Sequence, residues 1–127
     1  MKPVEINSLV LAYLGDTIYE NYVRRYLINL GLTNVKQLQE AAVEYVSARS
    51  QAAYLKSLLD LDFFTDEEMD VLKRARNCKS KSHPKNCDIL TYKHATALEA
   101  VIGYLDIVGR KNTIDAIIDM ILGGKLC

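Results

Sequence analysis

Two carboxylates set into apolar helical segments are the chemically suggestive feature of this sequence. In LVLAYLGDTIYE, Leu9 to Glu20, Asp16 follows Gly15 and shares a helical face with Leu9, Ala12, Tyr13, Tyr19, Glu20 and Val23, away from any solvated stripe. In TALEAVIGY, Glu99 stands among Ala95, Thr96, Ala100, Ile102 and Gly103. Each acid has a glycine close by, Gly15 or Gly103. A glycine inside a helix costs up to about 1 kcal/mol relative to alanine, and close approach of another backbone is a reason to accept that cost. If the two helices cross at the glycines, the acids face one another, and one must take a proton or the pair must share a cation. Mg²⁺ suits such a pair, because it often binds only one or two carboxylates and keeps positions for water and phosphate oxygens. The plainer alternative gives each acid its own buried hydrogen bond or ion pair, with Lys93 or an arginine. Glu20, one turn beyond Asp16, reads either as a supporting acid behind the pair or as the edge of the exposed side.

A second chemical signal is basic. KRARNCKSKSHPKN, Lys73 to Asn86, contains Lys73, Arg74, Arg76, Lys79, Lys81 and Lys85 and no acid. Elsewhere the chain is balanced, with 16 Lys and Arg against 16 Asp and Glu, so this is a local concentration. Such a segment suits a sugar-phosphate backbone, whose contacts position a protein without reading sequence. It also suits a solvated loop, and Arg74 and Arg76 complement a helix dipole. Tyr13, Tyr19, Tyr22, Tyr26, Tyr92 and Tyr104 offer stacking surfaces for bases, although tyrosines at helical spacing more often fill a core or interface. Three cysteines, Cys78, Cys87 and Cys127, with His83 between the first two, lack zinc-ligand spacing and read as free thiols. His83, beside Pro84, reads as a surface residue.

The elements needed to position these groups are all helical. Apolar residues recur at helical spacing almost everywhere and no segment sustains strand-like alternation. The first helix runs from about Asn7 to Asn29 and stops at Gly31. A second begins near Thr33 or Asn34 and continues, with a bend at Ser47, through Leu59. Thr65 and Glu68 form a capping-box pattern for a helix ending near Asn77. The segment from Asn77 to Asp88 reads as a loop. Further helices cover Thr91 to Ile107, stopping by Gly109, and a stretch from Asn112 or Thr113 to Gly123 and Gly124. At 127 residues the chain suits a single all-α domain. It shows no apolar run long enough to span a bilayer and no signal peptide, which places it in the cytoplasm as an expectation.

LAYLGDTIYE, VSARSQA, LKRARNCKS and SHPKNCDILTYKHATALEAVIGYL together resemble the catalytic domain of the ribonuclease III family, and within it the small bacterial Mini-III subfamily. The resemblance spans roughly Leu9 to Leu122. It implies that Asp16, in the L-G-D signature, and Glu99, in the E-A-x-I-G block, are catalytic and hold Mg²⁺, with Mn²⁺ as a substitute. Larger members carry two further glutamates that fall on Leu9 and Ala12 here, and an acid that falls on Thr96. Water, Thr96 or Glu20 then completes the surroundings of the metal. The resemblance also implies a helical bundle, a homodimer with one site per strand of double-stranded RNA, and products ending in 5′-phosphate and 3′-hydroxyl. It implies a role in maturing the large-subunit (23S) ribosomal RNA precursor, with a ribosomal protein on the substrate as a possible partner. It further implies residues 1–127 as one catalytic domain without a separate RNA-binding domain. Lys73, Arg74, Arg76, Asn77, Lys79, Lys81, Lys85 and Lys93 are then the RNA contacts, and an apolar face of the first helix is the dimer surface. Two alternatives remain open: a catalytically inactive RNA-binding scaffold of a ribosomal particle, and a helical interaction protein with no RNA role.

Overall fold

In a computed structural model, which describes residues 5–78 and 88–124, the chain folds into six helices, and no strand occurs among the described residues. They are α1 (Ser8–Asn29), α2 (Val35–Val46), α3 (Ala48–Asp60), α4 (Asp66–Arg76), α5 (Ile89–Ile107) and α6 (Lys111–Leu122). Lys79, Lys81, His83, Lys85, Cys87 and Cys127 lie outside the described residues.

The helix starts are written in short polar side chains. Asn7 Oδ1 accepts from the Leu9 amide, Asn34 Oδ1 from Lys36 and Gln37, and Asp88 Oδ1 from Thr91, so each satisfies amides that have no partner within the helix. At α4 the capping box is complete. Thr65 Oγ1 accepts from the Glu68 amide, and Glu68 Oε1 accepts from the Thr65 amide. Gly31 and Gly109, at φ 95° and 79°, take the left-handed conformation that lets the chain turn away after α1 and α5.

The continuous second helix expected from the sequence is two helices. Ser47 is extended, with φ −61° and ψ 150°, and it ends α2 while its hydroxyl caps α3 by accepting from the Ser50 amide. A serine oxygen that satisfies the first turn of a new helix makes a break cheaper than a bend. The break sets α3 on α5, where Tyr54, Leu55 and Leu58 are buried.

The core is built on α5. Its Ala97, Leu98, Ala100, Val101, Ile102, Tyr104 and Leu105 are almost wholly buried, and α1, α3, α4 and α6 all pack against it. A helix buried on most of its circumference needs apolar residues on most of it, which explains why AVIGYL shows no polar face. α1 contributes Leu11, Tyr19, Val23 and Leu27, and α2 lies against its outer side.

Candidate active site

The α1–α5 crossing is as close as two helices can come. A Cβ built on Gly15 would overlap the Glu99 carbonyl oxygen, and one built on Gly103 would overlap the Leu11 carbonyl oxygen. Only hydrogen fits at either position. Asp16, next to Gly15, and Glu99, one turn before Gly103, are thereby brought face to face across the seam. Their carboxyls are close enough for Asp16 to raise the Glu99 carboxyl.

The two acids differ in setting. Glu99 is recessed, whereas Asp16 is exposed. The exposure corrects the reading of Asp16 as lying off any solvated stripe. Of the apolar residues that share its helical face, Ala12, Tyr19 and Val23 are buried in the core, whereas Leu9 and Tyr13 are 43% and 81% exposed, so only part of that face is covered by packing within the chain. Burial, and then the neighbouring Asp16 carboxylate, pushes the Glu99 carboxyl up to about 9, and Glu20 adds a smaller repulsion. Among the described residues neither Asp16 nor Glu99 forms an ion pair, with Lys93 or with any arginine. The separately ion-paired arrangement does not occur among the described residues.

The donor set fits a hard divalent cation. Two close carboxyls, one open to solvent, with no neutralising base among the described residues, leave negative charge that a Mg²⁺ ion would offset while keeping most of its water. No group of three or more Asp, Glu, His or Cys side chains suited to a metal occurs among the described residues. Among the described residues a soft-metal site has no ligand group, and Mg²⁺ does not need a third protein acid.

The residues around the pair are placed as follows. Thr96 Oγ1 donates to the Tyr92 carbonyl at 2.9 Å, within its own helix. Glu20 is half-buried and accepts from Arg24 at 3.3 Å, an i,i+4 pair at the surface. Tyr19, fully buried one turn beyond Gly15, donates its hydroxyl to the Tyr45 carbonyl at 2.6 Å; burial raises its phenol, and the nearby Glu99 adds to the rise. Of the basic residues, Lys73, Arg76 and Asn77 are exposed at the end of α4, and Arg74 pairs with Asp70 at 3.3 Å. Lys93 is half-buried on α5. Tyr22 donates to Asp115 at 2.7 Å and Tyr104 to Glu67, so these two tyrosines tie helices together.

One neighbour went unread in the sequence. Gln51, on the first turn of α3, is 3% exposed, donates from Nε2 to the Val46 carbonyl at 2.9 Å and stands near enough to Glu99 to lower its carboxyl against the effect of burial. A signal existed in its spacing, since Gln51 lies three, four and seven residues before Tyr54, Leu55 and Leu58 and so occupies a core position with a polar side chain.

Comparison with known proteins agrees with this geometry. Residues 9–110 match the Ribonuclease III domain family. The Mini-ribonuclease 3 of Staphylococcus aureus is 43% identical over 117 residues, 92% of this chain and 87% of that one. The Mini-ribonuclease 3 of Brevibacillus brevis is 49% identical over 112 residues, covering 88% and 82%. A Fusobacterium nucleatum protein solved by X-ray crystallography superposes with a TM-score of 0.85 at 32% identity, covering 95% of both chains.

Proposed function

Because the chain belongs to the ribonuclease III family, on its Mini-ribonuclease 3 branch, we propose that it cuts double-stranded RNA at an Asp16–Glu99 site holding Mg²⁺. The observation that carries this reading is the exposed Asp16 beside the recessed Glu99, with no cation among the described residues paired to either. Mn²⁺, with the same preference for oxygen, would replace Mg²⁺. When bound, the ion supplies Lewis acidity at the scissile phosphate and an activated water for hydrolysis, leaving 5′-phosphate and 3′-hydroxyl ends.

The chain's own residues prepare that chemistry. Asp16 presents a carboxylate at the surface, where a phosphate can reach the ion. Glu99 closes the inner side of the site from a helix that packing holds rigid. Gly15 and Gly103 fix the spacing between them. Lys73, Arg76 and Asn77 at the end of α4, with Arg74 and Lys93, follow the RNA backbone, joined by Lys79, Lys81 and Lys85 beyond the described residues. Glu20 and Thr96 complete the surroundings of the acids.

Leu9, Val10 and Tyr13, all exposed on α1 beside Asp16, suit the contact between two copies of the chain, so that two sites act on one duplex. Residues 1–127 act as one catalytic unit. The substrate is the precursor of large-subunit ribosomal RNA, presented with a ribosomal protein, in the cytoplasm. Among the described residues, no helix is long and apolar enough to cross a membrane.

The test is cleavage of a long RNA duplex with Mg²⁺, with excess chelator, and by Asp16→Asn under both conditions. Cutting that needs both the ion and Asp16 supports the assignment. Duplex that is bound but intact in every lane, with a ribosomal precursor also left uncut, would replace it with the scaffold reading.

A further inference from the structure

Gln51 carries an atom that the fold leaves unanswered. Its Oε1 is buried and has no hydrogen-bond partner among the described residues. The orientation of the carboxamide is not arbitrary, because the Val46 carbonyl at 2.9 Å must meet Nε2 and would repel Oε1. The extended Ser47 puts that carbonyl in place by ending α2 at Val46. With one Nε2 hydrogen committed to Val46 and the second free to face Glu99, whose carboxyl the neighbouring Gln51 pulls downward against burial, the unpaired oxygen belongs to a group beside the recessed acid. A purely structural residue at this position would be better as leucine, since a buried carbonyl without a partner keeps its desolvation cost.

Among the described residues the neighbouring side chains do not take this place. Ala12 has no hydrogen-bonding side chain, and the Thr96 hydroxyl is turned onto its own helix at Tyr92. We propose that Gln51 is a positioning residue of the cation site: its Nε2 holds the Glu99 carboxylate, and its free Oε1 accepts a hydrogen bond from the hydration shell of the bound ion. This rests on the Asp16–Glu99 reading and adds a polar member from a third helix. Groups that orient a ligand carboxylate from behind set metal affinity without touching substrate.

The experiment is Mn²⁺ binding to the full chain without RNA, read by electron paramagnetic resonance, for wild type, Gln51→Leu, Gln51→Met and Asp16→Asn. Urea unfolding of each in chelator is measured alongside. Gln51→Leu and Gln51→Met are expected to weaken Mn²⁺ binding about 10-fold or more, while their stability without metal changes little, because removal of the orphaned oxygen offsets loss of the bond to the Val46 carbonyl. The Mg²⁺ concentration for half-maximal cleavage should rise in parallel, with duplex binding in chelator unchanged. Mn²⁺ affinity within about twofold of wild type in either folded variant overturns the proposal. So does failure of both variants to fold, which would make Gln51 a core residue. If Asp16→Asn binds Mn²⁺ like wild type, the acid-site reading itself fails, an outcome distinct from a loss confined to Gln51.

Discussion

Asp16 and Glu99 are chemically unlike although both are carboxyls, and the difference lies in their surroundings. Asp16 meets solvent, while Glu99 is recessed and repelled by Asp16, so without a cation it keeps its proton to about 9. An unfolded glutamate loses its proton near 4.5. Between those values the folded chain binds more protons than the unfolded one, so stability in chelator should fall as pH rises from about 4.5 to about 9. Added Mg²⁺ should weaken this decline, because the ion favours the charged form and its stabilisation grows with pH. Thermal unfolding across that range, with and without the ion, checks both slopes; a flat profile in chelator contradicts the recessed, repelled Glu99. Asp16→Asn should lower cleavage by about 10²-fold or more. The same change removes a repulsion, so urea unfolding in chelator should show no loss of stability.

At the scale of elements, the decisive feature is the contact of α1 and α5 through glycine. In an isolated helix Gly15→Ala would add up to about 1 kcal/mol of stability. Here the new methyl would meet the Glu99 backbone, which cannot move aside without shifting α5. Gly15→Ala should therefore destabilise the fold by about 3 kcal/mol and separate the acids, lowering cleavage even in the fraction that folds. Urea midpoints and cleavage at low temperature measure the two effects. A gain in stability would mean that the helices do not cross at this point. The broken α2–α3 connection acts in the same direction, since the Ser47 cap lets α3 bring Gln51 onto α5 while α2 stays on α1.

Across the whole molecule, the exposed part of α1 joins an acid to an apolar surface. Leu9, Val10 and Tyr13 are 43%, 55% and 81% exposed, beside Asp16. Tyr13→Glu should convert a dimer to monomers in sedimentation velocity, by placing charge in an apolar contact, and should lower double-strand cleavage more than single nicks. A variant that sediments as wild type would place the dimer surface elsewhere. RNA binding by the basic end of α4 should weaken steeply with salt. Replacing Lys73 and Arg76 together by alanine should reduce the slope of log affinity against log salt by about 2 at most, without changing sequence preference.

Much of this protein was legible in the sequence. The all-α class followed from the helical spacing of apolar residues, and the capping box of Thr65 and Glu68 stood in the sequence as a pattern of spacing. The proximity of a glycine to each acid suggested a crossing. These are properties of neighbours along the chain, which local geometry governs. Tertiary structure alone decided that Asp16 is exposed while Glu99 is recessed, that neither finds a basic partner among the described residues, and that Gln51 arrives from α3. Each depends on which faces of distant helices meet. A chain of apolar faces leaves that pairing open until packing fills the volume between them.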